Sequence, residues 1–465
     1  MLDHFIVSAQ DRSDSRGPQR QEVVARYGIR FAELDGGRRF ARPVVVRSDS
    51  QTPATTLRDV PVFPQRGSGA EGILGRGDRF NPRSEDAFYV NVWSPQDADA
   101  LPVVVFVHGG GWTSGGGAIP WYDGRHLAAS GLVVVTMNYR LGAAGLLAQG
   151  SPRDDQTSLP VQDVLAALRW VSDNVARFGG DPGRVTLAGQ SAGGWLVHLV
   201  SIMPQAADHF DRAAIWSMGT RVPRSLALQS SLVAAASRLS APAALAELSP
   251  EQLLTVGDRA LGEVLPPPPF AHAAVGWVPH AGGAVPLRML DPAFAVERCT
   301  ASGVMFRNTA HETGTFFHGI PALRNATEDE VWRWIETLPS ASLPYDFLTT
   351  DGFVDMSPYE RLVAVSSWLQ YQGPARALAD AYERRGRSVL TTTFSHWGAV
   401  DGQMSGHCLD LPFQFGTREE WDDAPMLRGC DDDEFDAISW QLISQLVDFA
   451  SGRRAPSLEK VGAAL

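Results

Sequence analysis

Residues Arg184 to Met203 read RVTLAGQSAGGWLVHLVSIM, and the rest of the chain is organised around them. Arg184-Val185-Thr186-Leu187-Ala188 is a short β-branched and apolar run, long enough for a buried strand. Gly189-Gln190-Ser191-Ala192-Gly193 follows as a G-x-S-x-G turn. From Gly194 the apolar side chains Trp195, Leu196, Leu199, Val200 and Met203 fall at helical spacing. A serine at the apex of a strand-to-helix turn sits in strained backbone, so its neighbours must be nearly free of side chain. The helix behind it would aim its N-terminal N–H groups and positive dipole end at Ser191, where an oxyanion would form. A Gly-rich connection with no chemistry gives the same short string, so the reading depends on what the flanking segments supply.

Upstream, Pro102–Val107 is a continuous apolar run, the mark of a strand covered on both faces, and it runs into His108-Gly109-Gly110-Gly111-Trp112. Leu132–Met137 is a second such run. Leu159 to Phe178 is an amphipathic helix stopped by Gly179-Gly180-Asp181-Pro182. Strands are also expected at Val23–Phe31, Ala87–Trp93, Arg212–Ser217, Gly303–Arg307 and Ser388–Phe394, with a last helix at Asp433–Ala450. This alternation predicts an α/β fold, a mostly parallel central sheet with helices on both faces. Residues 218–300 and 316–385 break the rhythm with helical patches and are expected to be inserted cap segments. Residues 47–84 carry turn formers without periodicity and read as a long surface loop. One domain spans 22–452, with a poorly ordered arm at 1–21 and a loose tail at 453–465.

The chain has 465 residues, 44% hydrophobic and 20% charged, the balance of a water-soluble globular enzyme. Its formal charge of −12 argues against nucleic acid or an anionic membrane surface as partner. Three cysteines, Cys299, Cys408 and Cys430, form neither a disulfide framework nor a C-x-x-C metal spacing. The first twenty residues lack the pattern of a signal peptide, and no run of about 18 apolar residues suggests a membrane span. The expected compartment is the reducing cytoplasm. Oligomeric state is not legible.

A serine nucleophile needs a base, a group that orients the base, and donors for the oxyanion. In an α/β-hydrolase the order along the chain is serine, acid, histidine, each on a loop after a sheet strand. After strand 303–307 the loop Asn308–Gly314 holds one carboxylate, Glu312, preceded by His311. After strand 388–394 come His396 and His407, both candidates for the base, with Asp410 nearby as a second candidate acid. Glycine lets backbone N–H groups reach a substrate oxygen, so the turn after His108, with the N–H of Ala192, is the expected oxyanion site. Trp112, Trp121, Tyr122, Trp277, Phe316 and Trp397 are candidate pocket aromatics, each of which ordinary packing would explain equally well.

Together these segments resemble the type-B carboxylesterase family, which includes the cholinesterases and bacterial para-nitrobenzyl esterases. Arg39-Phe40-Ala41-Arg42-Pro43 is similar to its R-F-x-x-P, and Ser84–Trp93 to S-E-D-C-L-Y-L-N-V-W. Phe178–Pro182 with Gly189–Gly194 matches its strongest block, and His407 with Asp410–Phe413 and Phe415-Gly416 matches H-G-x-E-L-P-F-x-F-G. The resemblance spans about residues 22–452. It implies an α/β-hydrolase that cleaves carboxylic esters without metal or organic cofactor. Ser191 would be nucleophile, His407 base and Glu312 its orienter. Gly110, Gly111 and Ala192 would form the oxyanion hole, His108 would position their loop, and Ser217 would support Glu312 and His407. Amide or carbamate hydrolysis, acyl transfer, and a non-catalytic binding protein are the competing readings. Three departures stand out. Phe63 and Ala87 occupy the family's first disulfide. Gln190 replaces the glutamate before the serine, which predicts neutral or anionic esters as substrates. Cys408 replaces the glycine after the histidine.

Overall fold

Val104 and Val105 are adjacent in one strand and belong to different cores. The strand Leu101–Val107 sends Val103, Val105 and Val107 into one apolar cluster and Val104 and Phe106 into another. A run that is hydrophobic at every position is thus a sheet strand with a helical layer packed on each face.

The computed structural model describes residues 5–7, 21–46, 54–147, 157–274, 276–339, 342–344, 346–453 and 460–461. In chain order its strands are β1 (Phe5–Val7), β2 (Val23–Arg30), β3 (Ala32–Leu34), β4 (Pro43–Val45), β5 (Tyr89–Pro95), β6 (Leu101–Val107), β7 (Val133–Met137), β8 (Gly180–Gln190), β9 (Arg212–Trp216), β10 (Gly303–Thr309), β11 (Ser388–Phe394) and β12 (Lys460–Val461). β3 and β4 pair separately; the others form one sheet in the order β1-β2-β5-β7-β6-β8-β9-β10-β11-β12. Pairing is antiparallel from β1 to β7 and parallel across the rest. Val107 stands opposite Gly189, and Gln190 opposite Trp216, so the loops after β6, β8 and β9 leave the sheet at one edge. That carboxyl edge is where parallel α/β sheets hold ligands.

Three expectations need adjustment. Of the expected loop 47–84, residues 47–53 lie outside the described residues, and 54–84 is not a surface loop: Val60, Val62 and Phe63 are buried, and the Asn81 amide donates to the carbonyls of Leu57, Val60 and Ala118. A side-chain amide stands in for a ladder there, which leaves no periodicity to read. The arm 1–21 and the tail 453–465 each lend the sheet a short strand, β1 and β12; most of both lies outside the described residues. The stretches 218–300 and 316–385 do not form one unit. Helices Leu226–Ser240 and Pro250–Val264 pack into the core of one sheet face through Leu232, Ala236, Leu253 and Ala260, as does Gly373–Arg384 through Leu378 and Tyr382. Phe317, Leu323, Val331, Ile335, Phe353 and Leu362 form a third, smaller cluster. Among the described residues no helix is long and apolar enough to cross a membrane, and the three cysteines are free.

Candidate active site

β8 runs to Gln190 and the next helix starts at Ala192, so the turn between them is the single residue Ser191. Its backbone has φ 58° and ψ −121°, a conformation that costs a residue with a Cβ about 1–3 kcal/mol. The surroundings hold it there. The Ser191 N–H donates to the Trp216 carbonyl at 2.9 Å, and the Trp195 N–H to the Ser191 carbonyl at 2.9 Å. Gly193 lies so close to β6 that a Cβ on it would sit 2.0 Å from the Val107 carbonyl oxygen. The five-residue turn read from the sequence is therefore tighter than expected: four of its residues are strand end or helix start, and the glycines serve the crossing of helix and strand.

Glu312 and His407 come from the loops after β10 and β11. His407 Nδ1–H donates to Glu312 Oε2 at 2.5 Å, with both side chains buried. The other carboxylate oxygen, Oε1, accepts the Thr309 N–H at 2.8 Å and the Asn308 amide at 3.3 Å. The ring thus commits its Nδ1 to Glu312 and turns its Nε2 the other way, with no hydrogen bond to Ser191 Oγ among the described residues. That Nε2 lies 3.2 Å from Gln190 Nε2, at the end of the strand that carries Ser191. Burial works against charge on His407, but the Cys408 sulfur, the Tyr371 phenol and the Glu312 carboxylate outweigh it. They hold the imidazole well above the ordinary histidine range.

The glycine turn closes on the serine from the other side. A Cβ on Gly109 would lie 3.1 Å from Ser191 Cβ. Gly110, at φ 98°, turns its carbonyl away to accept the N–H groups of Thr113 and Ser114. Among the described residues no acceptor takes the N–H of Gly110, Gly111 or Ala192. His108 is fully buried, stacks on Tyr139 with centroids 4.2 Å apart, and has Nδ1 2.8 Å from the Gly109 carbonyl. Burial lowers it to about 4, so it braces the loop as a neutral ring.

The remaining candidates separate. Asp410 is not beside His407 as an acid: its Oδ2 accepts from Arg307 Nε at 2.9 Å, and both partners are buried. His396 faces Glu434, with Nδ1 3.4 Å from Oε1, and packs on Phe413. His311 is edge-on to Trp397. Ser217 is buried with φ 47°, but its Oγ has no hydrogen-bond partner among the described residues, so the expected support of Glu312 and His407 is absent. Phe316 has its ring 5.1 Å from the His407 ring. Trp112 packs edge-on to Trp195, Trp121 stacks on Trp421, Tyr122 lies against Phe106 and Phe415, and Trp277 is buried under Arg224. Those four are packing residues; Trp397 is exposed. Sequence reasoning missed Tyr371, whose ring lies 5.3 Å from His407 and stacks on Phe316 at 6.4 Å. It sits in the π-helical segment Trp368–Gln372, which an apolar helical pattern in the sequence does not announce.

Among the described residues one group of side chains has metal-ligand character: His396, Cys430 and Glu434, whose ligand atoms lie within 4.8 Å of one another. The Arg418 guanidinium packs against Cys430 and competes with a cation there. A cavity of about 1120 Å³ between Arg39, Arg42, Leu159, Gln162 and His280 is lined by none of the residues around His407.

The arrangement can run acyl transfer: a hydroxyl at a strained turn, a carboxylate-held imidazole whose Nε2 lies at the end of the same strand, and a glycine turn packed on the serine with N–H groups that no acceptor takes among the described residues. Comparison with known proteins points the same way. The model of the carboxylesterase family matches residues 12–255. The fumonisin B1 esterase of Sphingopyxis macrogoltabida is 33% identical over 70% of this chain, which spans 58% of that enzyme's length. The probable N-octanoylanthranilate hydrolase AqdA2 of Rhodococcus erythropolis is 30% identical over 89% of this chain and 86% of its own. A solved PNB esterase superposes with a TM-score of 0.74 at 26% identity, covering 98% of this chain and 92% of its own.

Proposed function

The chain belongs to the carboxylesterase family, and on that premise we propose that it is a serine hydrolase of carboxylic esters working through an acyl-enzyme. The observation that carries this reading is the 2.5 Å Glu312–His407 contact, with Nε2 of the ring at the end of the Ser191 strand. Ser191 Oγ attacks the ester carbonyl as its proton passes to His407 Nε2. Glu312 stabilises the imidazolium that results. The N–H groups of Gly110, Gly111 and Ala192 bind the tetrahedral oxyanion; losing one such donor typically costs about 3 kcal/mol of transition-state stabilisation. His407 then protonates the leaving alcohol, and in the second half it activates the water that frees the acid.

The substrate is a neutral or anionic small-molecule ester. Gln190 puts no negative charge beside the serine. Arg221 pairs with no carboxylate among the described residues: its Nη2 donates to the carbonyls of Ala273 and Ala274 at 3.0 and 3.4 Å, and its charge reaches Tyr371. A second reading, amide hydrolysis on the same groups, is favoured by the relative named as a hydrolase of N-octanoylanthranilate. Rates on matched choline, neutral and carboxylate-bearing esters, and on the corresponding amides, test both. The expected order is carboxylate-bearing or neutral ester ahead of choline ester. A preference for the choline ester would overturn the substrate class, and faster turnover of the amides would favour the second reading.

A further inference from the structure

The loop that leaves β9 is strapped to both sides of the proposed site, and it carries a guanidinium that is oriented without being neutralised. On one side the Arg221 carbonyl accepts the indole N–H of Trp195, in the helix behind Ser191, at 2.7 Å. On the other, the Thr220 N–H and Oγ–H donate to the Gln370 carbonyl at 2.9 and 3.2 Å. Gly219 lies against the Tyr371 ring: a Cβ on it would stand 3.4 Å from Cε1 and 3.7 Å from the phenol oxygen. Gln370 also fixes what the Arg221 side chain holds. Its amide oxygen accepts the Ala273 N–H and its amide nitrogen donates to the Ala271 carbonyl, both at 3.0 Å. The neighbouring carbonyls of Ala273 and Ala274 accept from Arg221 Nη2. Carbonyl oxygens orient a guanidinium but leave its unit charge in place. Arg221 Nε and Nη1 have no acceptor among the described residues. The chain has 52 acidic and 40 basic residues, so carboxylates are in excess, yet no described one pairs with this half-buried arginine. Its charge reaches the Tyr371 phenol, whose ring lies 5.3 Å from that of His407.

We infer that Arg221 determines specificity by binding a carboxylate of the substrate, so that the preferred substrate is an ester that also carries a free carboxylate. This rests on the ester reading proposed above and narrows its substrate class. A guanidinium meets a carboxylate through short, charge-assisted hydrogen bonds, and Nε and Nη1 have their N–H groups available for them. Gln370 and Trp195 hold the loop, and the carbonyls of Ala273 and Ala274 hold Nη2, so little side-chain freedom is left to lose when the carboxylate arrives. Gln190 adds no negative charge at the end of the Ser191 strand to repel it.

The test uses two matched ester pairs. Phenyl hydrogen adipate against phenyl adipamate puts the carboxylate, or its neutral amide, on the acid side. The pair 4-carboxyphenyl butyrate and 4-carbamoylphenyl butyrate puts it on the alcohol side. For each pair the ratio of kcat/KM, charged over neutral, is measured in the full chain and in Arg221→Met. In one pair the ratio should fall about 30-fold in Arg221→Met, chiefly through KM, and recover in part in Arg221→Lys. The pair that responds tells which side of the ester Arg221 reads. A ratio unmoved in both pairs, with or without a loss shared equally by their members, would overturn the inference. Salt tests the unaltered protein if Arg221→Met does not fold: raising NaCl from about 20 to about 200 mM should lower the responding ratio severalfold, and flat ratios in both pairs would overturn the inference. Absence of turnover with all four esters would count against the function proposed above and not against Arg221. Calorimetric binding of adipate then reads the site alone: it should be about tenfold weaker in Arg221→Met, and equal affinity would overturn the inference.

Discussion

In the proposed site, Ser191 and the aromatic pair beside His407 are held by opposite means. Around Ser191, backbone lies against backbone: Gly193 against Val107, and Gly109 against Gln190 and Ser191. Phe316 and Tyr371 lie in short helical segments, Gly314–Phe317 and Trp368–Gln372, whose neighbours Phe317, Leu323, Ile335, Phe353, Leu362 and Leu369 form a small cluster of side chains separate from both sheet cores. Phe316 itself is 37% exposed, and Asp401, the ion-pair partner of the half-buried Arg324, stands in water. The first kind of structure has no room to adjust. The second can change its residues while its shape persists, which suits the part of a site that chooses a substrate.

Substitutions on the two sides therefore differ in kind. The largest effect falls on the chemistry. His407→Ala should lower kcat by about 10⁴-fold, while His396→Ala, removing a ring that faces Glu434, should change it by no more than about threefold. The reverse outcome would move the base to the other histidine. Next comes the rigid side. Gly193→Ala would place a methyl in the Val107 carbonyl, and the protein should lose several kcal/mol, read as a collapse of the thermal midpoint or of soluble yield.

The pH dependence of stability follows from the same side. Burial holds His108 and His198 at about 4, and His311 likewise. Between pH 6.5 and 4 the unfolded chain binds protons that these folded rings refuse. Their contribution is therefore whole above pH 6.5 and is lost as pH falls toward 4, by up to about 3 kcal/mol for each ring. His407 has the opposite sign, since its raised value favours the fold at low pH, but burial lowers His280 and His396 as well, so it is one against five among the described residues. The urea midpoint should drop between pH 7 and pH 5; a rise would show that those rings do not stay neutral. The smallest effect belongs to the adaptable side. Phe316→Ala should leave the thermal midpoint within a degree or two and raise KM by about tenfold or less, with kcat little changed.

The same contrast explains what was legible in the sequence. The elbow, the glycine turn and the buried strands announce themselves because sterics leave few residues that fit: glycine where a Cβ would strike backbone, β-branched runs where both faces are covered. The resemblance supplied Glu312 and His407, and the structure places them in contact at 2.5 Å. What stayed hidden is held by side chains. Tyr371 looks like any apolar residue of an amphipathic stretch, and its place beside His407 depends on how a lobe folds back. Trp121 and Trp277 are large aromatics near suggestive glycines, yet Trp121 spends its surface on Trp421 and Trp277 is buried under Arg224. The segment 54–84 lacks periodicity because Asn81 and short bridges replace a ladder. Ser217 takes the strained backbone of its motif, φ 47°, without a hydrogen bond to its hydroxyl among the described residues.

The central claim is that Ser191 is the nucleophile and that its strained turn exists to present it. A fluorophosphonate probe with mass-spectrometric mapping tests this directly. The probe should add once, on the peptide containing Ser191, with loss of esterase activity in step, and Ser191→Ala should neither label nor turn over ester while keeping the native thermal midpoint. Labelling or ester turnover that survives in a folded Ser191→Ala would contradict the account.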